Sequence, residues 1–161
     1  MPCDTMISNC LLSGTSHKEH GIGVSVQPKS GEKWQFYVID EKSNAKCTLR
    51  KDLEIHGALC DVVVICNLPK TQAPIVCLVE LKGCDYAKAV EQVINTYKSL
   101  FPHFQRKHSF PVCWRVFIRR RGGAPKQRDL QLRKRLVDAF GKGNFQVVSG
   151  DTLAMFLRRS A

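Results

Sequence analysis

IVCLVELK, residues 75 to 82, is an apolar run that ends in two charged residues. Its composition predicts a buried β-strand, because apolar and β-branched residues follow one another without interruption. Alternate side chains of a strand point to the same face of a sheet, so Glu80 and Lys82 are expected to share a face with Val76 and Leu78. A carboxylate and an ammonium are costly inside a core, which indicates that this strand end does more than pack.

The preceding run CDVVVIC, residues 60 to 66, is β-branched and predicts a second buried strand. Residues 67 to 74 contain two prolines and predict the loop that joins the two strands as a hairpin. In such a hairpin the start of the first strand lies beside the end of the second, so Asp61 is expected next to Glu80 and Lys82. Two carboxylates this close repel each other unless a cation lies between them, and Mg²⁺ prefers such oxygen ligands.

The rest of the chain alternates between strand and helix patterns. Further strands are predicted at 34–40, 112–118 and 145–148, with 46–50 as a strand that could return antiparallel to the first. Helices are predicted from Asp85 to near Pro102, at 128–140 and at 151–157. Residues 1–31 are compatible with a short helix or with an irregular lead-in. The order predicts an α/β fold with a central mixed β-sheet flanked by helices.

Length and composition indicate one globular domain over residues 1–161. Hydrophobic residues make up 43% and charged residues 24%, which is incompatible with extended disorder. Apolar stretches are all shorter than the roughly 18 residues of a membrane span, and the first ten residues lack the pattern of a signal peptide. The protein is therefore expected to be soluble and cytoplasmic, without a membrane partner.

The eight cysteines form no CxxC pair, whereas zinc ligands usually come in closely spaced pairs. Several lie inside apolar runs, where a thiol packs as a small hydrophobic group. Buried, reduced cysteines are therefore expected in preference to zinc ligands or disulfides. His17 and His20 form an HxxH without a second ligand pair and are interpreted as a surface turn.

The net charge of +11 is concentrated in one region, the basic segment 106–135. This segment carries 11 Lys and Arg residues against the single acid Asp129, whereas residues 1–105 are balanced. Such a concentration indicates a polyanionic partner, with a solvated basic helix face as the simpler alternative. The side chains expected to hold a nucleic-acid backbone are Arg119, Arg120, Arg121, Lys126, Arg128, Arg133, Lys134 and Arg135.

One set of residues resembles the motif of the PD-(D/E)XK nuclease superfamily. It consists of Asp61, the tripeptide Glu80-Leu81-Lys82 and Gln92 on the following helix. The resemblance covers a core of about residues 34–118 and implies a restriction-endonuclease-like fold, with a basic C-terminal extension over about 119–161. That core consists of a helix, three strands, a helix and a strand.

The resemblance also implies a metal site. Asp61, Glu80 and the backbone carbonyl of Leu81 would bind Mg²⁺, for which Mn²⁺ could substitute. The family often contributes another acid from an earlier element, and Glu19 and Glu54 are the candidates for it in this chain.

Lys82 would be the lysine that assists phosphodiester hydrolysis, and Gln92 would match a catalytic glutamine of some members, although a solvated glutamine fits its position equally well. The expected function is a Mg²⁺-dependent endonuclease or exonuclease, with DNA favoured, in which metal-activated water attacks the phosphodiester. The alternative is a non-catalytic nucleic-acid-binding or scaffold protein on the same fold. Expected protein partners are a second copy of the chain or the other subunits of a defence or repair complex.

Overall fold

The computed structural model describes residues 5–82, 85–107, 111–121 and 127–160, with the side chains at positions 7, 106, 107, 127 and 128 outside that description. Along these residues, short strands alternate with helices. In chain order the elements are a π-helical turn Met6–Cys10, β1 Ser16–Glu19, β2 Ile22–Ser25, β3 Lys33–Val38, α1 Leu49–Asp52, β4 Val62–Asn67, β5 Ile75–Lys82, α2 Tyr86–Lys107, β6 Cys113–Arg120, α3 Gln127–Phe140, β7 Phe145–Val148 and α4 Leu153–Arg159.

The central sheet has five strands in the order β3-β4-β5-β6-β7. β4 is antiparallel to both β3 and β5, whereas β6 is parallel to both β5 and β7. Parallel neighbours need a crossover connection, and α2 supplies it between β5 and β6. The predicted α/β class with a mixed central sheet is therefore confirmed, and the strands expected at 60–66, 75–82, 112–118 and 145–148 form within a residue or two of those bounds.

Both faces of the sheet are covered, which explains why β4 and the first five residues of β5 are almost entirely apolar. Val63, Leu78 and Val116 point to the face on which α2 and α3 pack. Their alternating neighbours, such as Val79 and Phe117, point to the other face, which the β1–β2 hairpin and α4 cover. Burial on two sides removes the polar alternation that a half-exposed strand would show.

Three segments differ from the sequence-based prediction. Residues 46–50 do not form a strand: α1 begins at Leu49, and the Thr48 hydroxyl donates to the Asp52 carboxylate over 2.8 Å in a helical turn. α2 continues through Pro102 to Lys107, because buried Leu100 and Phe104 hold the helix against the core on either side of the proline. Part of the region 1–31, which had no firm prediction, forms the β1–β2 hairpin.

The prediction of buried, reduced cysteines is correct for Cys60, Cys66 and Cys77 and wrong for the pair Cys10 and Cys47. Cys66 and Cys77 are buried free thiols whose pKa values burial raises. Cys10 and Cys47 form a disulfide, with 4.9 Å between their Cα atoms. They lie 37 residues apart and meet only because the π-helical turn packs beside α1, so their spacing in the sequence carried no signal.

Among the described residues, no helix combines the length and the apolar character needed to cross a membrane.

A charged network fastens the C-terminal helix α4 to the rest of the fold. Arg158 of α4 donates from Nε to Oε1 of Glu32 and from Nη2 to Oε2, both over 2.8 Å. The indole of Trp34 and the backbone N–H of Lys29 also donate to the same carboxylate, each over 2.9 Å. The hydrogen bonds from Arg158 lower the pKa of Glu32 to about 2.

Glu32→Gln is expected to lower Tm at pH 7 by about 2–4 °C, the effect of about 1 kcal/mol in a chain of this size. Since the folded-state pKa of Glu32 lies below its ordinary value, the stabilisation is complete above that ordinary value and is lost as pH falls toward 2. The Tm difference should therefore shrink across that window, as thermal melts at several pH values would record. Glu41→Gln is the matched control, because Glu41 pairs with Arg50 at 3.4 Å on the exposed surface. Equal shifts in both variants would contradict a special role for Glu32.

Candidate functional site

Strands β4 and β5 bring the Asp61 and Glu80 carboxylates together at one end of the sheet. Val62 pairs with Val79 in the antiparallel register, so Asp61 and Glu80 face each other just beyond that pair. The N–H of Asp61 donates to Oε2 of Glu80 over 3.2 Å, and the N–H of Leu81 donates to Oδ2 of Asp61 over 2.7 Å. Each carboxylate is thus oriented by the backbone of the other strand.

Lys82 completes this group of three. Its Nζ lies 3.4 Å from Oε1 of Glu80, and its side chain is 25% exposed whereas that of Glu80 is fully buried. Burial raises the pKa of Glu80 well above its ordinary range, the charge of Asp61 adds to the effect and Lys82 opposes it. Apart from the Lys82 ammonium at 3.4 Å, Oε1 of Glu80 has no partner among the described residues, and it accepts no hydrogen bond there despite its burial. A buried carboxylate oxygen with so few contacts is unusual and has room to accept a cation or a proton.

A cleft of about 530 Å³ opens beside these strand ends. It contains what we call the acidic cluster, namely Glu19, Asp40 and Asp61, each of which offers an oxygen within 4.8 Å of the others. Burial raises the pKa of Asp61; the N–H of Leu81 counteracts this, and the charges of Glu19 and Asp40 raise it further. Mutual repulsion of this kind is what a bound cation relieves.

Basic side chains surround the acidic cluster in the same cleft. They form what we call the basic rim: Lys42, Arg50, Lys82, Lys88 and Arg121. Lys42, Lys88 and Arg121 are exposed, whereas Asp61 is 6% exposed, so the cleft is more basic toward solvent and acidic at depth. This arrangement suits a ligand whose anionic groups contact the rim while a cation contacts the acids.

Gln92 lies at the same cleft and is not solvated. It is 7% exposed, and its Nε2 donates to the backbone carbonyl of Leu59 over 2.8 Å. One turn further along α2, the Thr96 hydroxyl accepts the N–H of Cys60 over 2.8 Å. α2 therefore holds the segment that leads into Asp61, while Oε1 of Gln92 has no hydrogen-bond partner among the described residues.

The basic segment divides between structural and exposed side chains. Arg119 donates to the carbonyls of Gly23 and Ser149, and Arg120 pairs with Asp129 at 3.4 Å, so these two hold the fold together. Arg121 is the member that lines the cleft. Three others are exposed on α3: Arg133, Lys134 and Arg135. Lys126 and the side chain of Arg128 lie outside the described residues.

Of the two candidates for a further acid, Glu19 lies in the cleft and Glu54 does not line it. Glu19 accepts hydrogen bonds from Ser43 and from His17, the latter at 3.0 Å, and these outweigh burial to lower its pKa. Glu54 is exposed after α1 and has a positive φ of 50°. His17 lies in β1 rather than in the surface turn that the HxxH suggested.

Asp40 was missed because EKSNA, residues 41 to 45, reads as an ordinary turn. The signal was present in the strand pairing: Val38 pairs with Val62, and the N–H of Ile39 donates to the carbonyl of Asp61 over 3.1 Å. An acid just after the strand that pairs with β4 must therefore lie close to Asp61.

No protein-family model, curated protein or solved structure matches this chain significantly.

Proposed function

We propose that this chain is a metal-dependent nuclease that hydrolyses phosphodiester bonds in nucleic acid, with DNA as the favoured substrate. The observation that carries the proposal is the Asp61–Glu80 pair with Lys82 at a sheet end, where Asp61 and Lys82 line a cleft with a basic rim and Glu80 is buried behind them. Acidic groups that bind a cation and basic groups that contact phosphate are both needed for this chemistry.

The order of the elements supports a restriction-endonuclease-like core. Apart from the short helix α1 between β3 and β4, the elements from β3 to β6 are three strands, a helix and a strand, which is the order expected for the last five elements of that core. The first helix of the core has no long counterpart among the described residues, where a π-helical turn and the β1–β2 hairpin precede β3. Glu19 of that hairpin lines the cleft with Asp61 and is our candidate for the acid of an earlier element.

The donor set fits a hard divalent cation. Asp61, Glu80 and the carbonyl of Leu81 would hold Mg²⁺ or Mn²⁺. The observation that favours this is the buried Oε1 of Glu80, which accepts no hydrogen bond among the described residues and faces only the Lys82 ammonium at 3.4 Å. When bound, the ion would supply an activated water and neutralise charge that develops on the phosphate.

Lys82 and the rest of the rim would act on the phosphate itself. The Lys82 ammonium is balanced by Glu80 at 3.4 Å yet partly exposed, so it can donate to a phosphate oxygen in the cleft. That contact stabilises the negative charge that builds up during in-line attack. Gln92 would position the segment that leads into Asp61, because its Nε2 donates to the carbonyl of Leu59, and it would not transfer a proton.

Purified protein incubated with single- and double-stranded DNA and RNA tests the proposal. We expect breakage with Mg²⁺ or Mn²⁺, none with chelator, and strong loss in Lys82→Ala although the fold is retained. Retention of nucleic acid without breakage under every metal condition would instead favour the non-catalytic binding protein.

A further inference from the structure

The connection between β3 and β4, residues 39–61, forms one wall of the cleft. It supplies half of the described residues that line the cleft, among them Asp40, Lys42 and Arg50. Apart from the four-residue helix α1 it contains no helix or strand, and a helix this short is not stable on its own. The position of this wall therefore depends on what fastens the connection to the rest of the fold.

The Cys10–Cys47 disulfide fastens this connection covalently. Cys47 lies within the connection, between Lys42 and Arg50, and the disulfide ties it to the π-helical turn that ends at Cys10. The bond closes a loop with a sequence separation of 37, and this loop also contains the β1–β2 hairpin, whose Glu19 lines the cleft. One covalent bond thus restricts two separate parts of the cleft lining.

The non-covalent contacts at the same junction are weaker. Asn9 Nδ2 donates to Thr48 Oγ1 over 3.1 Å, and Thr5 Oγ1 donates to Asp52 Oδ2 over 3.0 Å. The second of these hydrogen bonds is exposed, so water competes for its donor and its acceptor. Buried Leu49 keeps the connection packed on the core. Loss of the disulfide is therefore expected to shift the wall without unfolding the protein.

Reduction of the disulfide requires a local opening. Cys10 is 1% and Cys47 is 4% exposed, so a reductant reaches the sulfurs only when the π-helical turn separates from α1. Local opening of a short segment needs less free energy than global unfolding. The reaction is a two-electron thiol–disulfide exchange with a dithiol reductant. The S–S bond breaks, each sulfur gains a proton and becomes a thiol, and the reductant closes to its own disulfide.

We propose that the Cys10–Cys47 disulfide is a redox control of the cleft, in which the oxidised protein binds nucleic acid more tightly than the reduced protein. This control rests on the proposed function, because it acts through cations that contact phosphate. Lys42 and Arg50 lie on either side of Cys47 in the chain, so release of the connection moves them relative to Lys82, which β5 holds in place. A nucleic-acid backbone that spans these cations then loses part of its contacts.

Fluorescence anisotropy with labelled single-stranded and double-stranded DNA, in chelator to prevent cleavage, tests the control. Wild type oxidised by glutathione disulfide should bind about fivefold more tightly than wild type reduced by dithiothreitol, and reoxidation should restore the affinity. Cys10→Ala/Cys47→Ala should bind as the reduced protein does and respond to neither reagent. Cys113→Ala is the matched control, because Cys113 is a partly buried free cysteine on β6, and it should respond as wild type does. Alkylation and mass spectrometry count the thiols in each sample.

A reciprocal measurement separates control of the cleft from a merely structural bond. A structural disulfide would raise Tm without changing the affinity for DNA. If oxidation raises that affinity, linkage requires bound DNA to protect the disulfide from reduction by the same factor. In glutathione buffers, the value of [GSH]²/[GSSG] at half-reduction should therefore rise about fivefold at saturating DNA. Both measurements on wild type decide the proposal even if the double variant does not fold.

Equal affinity of the oxidised and the reduced protein would overturn the control, and so would an unchanged half-reduction point with DNA bound. A redox response that persists in Cys10→Ala/Cys47→Ala would also overturn it, since another thiol would then be responsible. The outcome is separable from that of the nuclease proposal. Redox-dependent binding without cleavage under any metal condition would uphold the control and reject the nuclease, and cleavage with equal affinity in both redox states would do the reverse.

Discussion

Asp61→Asn should reduce metal-dependent cleavage of DNA by about 10³-fold while the protein stays folded and still retains the nucleic acid. Loss of one carboxylate from the proposed metal site would remove roughly 4 kcal/mol of transition-state stabilisation, and each 1.4 kcal/mol corresponds to a tenfold change in rate. Asparagine keeps an oxygen that can accept the Leu81 N–H, which Asp61 Oδ2 now accepts over 2.7 Å. Single-turnover cleavage with a labelled duplex, at saturating protein, measures the chemical step directly.

A thermal melt without divalent ions gives a control that is independent of activity. The pKa of Asp61 is raised by burial and by the charges of Glu19 and Asp40, so at neutral pH its negative charge opposes folding. Asp61→Asn removes that charge and should raise the metal-free Tm. Full cleavage activity in this variant would contradict the assigned role, and a lowered Tm would show that the carboxylate stabilises the fold.

The relation of Asp61 to Glu80 was predictable because it follows from strand pairing. Two adjacent apolar runs joined by a proline-containing loop form a hairpin. Because alternate residues of a strand point to the same face of the sheet, the pairing register fixes which residues share a face. The observed Val62–Val79 register leaves little freedom for the residues just beyond it. Helix α2 was equally predictable from the sequence, since its apolar residues recur at helical spacing over its first four turns.

The remaining parts of the cleft depend on segments that local patterns do not position. Glu19 reaches Asp61 because a hairpin with a short turn at His20 and Gly21, both at positive φ, folds over the sheet. Lys42 and Arg50 come from the segment around α1, whose position depends on packing against the π-helical turn. Such placements arise from tertiary contacts between residues distant in sequence and have no signature in periodicity.

The basic segment shows how charge counting overstates a binding surface. Its excess of Lys and Arg predicts a polyanionic partner, but it does not distinguish side chains that hold the fold from those at a cleft. Arg120 pairs with Asp129 and lies 4.9 Å over the ring of Tyr86, so its charge is partly used within the fold. Among the described residues, the bases that line the cleft come mainly from outside the segment, as Lys42 and Lys88 do.

Replacing three members of the basic rim should weaken nucleic-acid binding and also flatten its salt dependence. In Lys42→Ala/Lys88→Ala/Arg121→Ala, three exposed cations that line the cleft are lost. Each lost phosphate contact lowers the slope of log affinity against log salt by about one, so the slope should fall by about three. Between 50 and 200 mM salt, the advantage of wild type over the variant should therefore shrink by about 50-fold.

Fluorescence anisotropy with a labelled DNA, in the presence of Ca²⁺ or chelator to prevent cleavage, measures both the affinity and the slope. Lys70→Ala is the matched control, because Lys70 is exposed in the loop between β4 and β5, at the opposite end of these strands from Asp61. Removing this distant charge should leave the slope within about one unit of wild type. If the slope of log affinity against log salt fell equally for each charge removed, at Lys70 and at the basic rim, the whole surface would attract DNA nonspecifically. The cleft would then have no privileged contact with phosphate, and its acids would need an explanation other than phosphodiester chemistry.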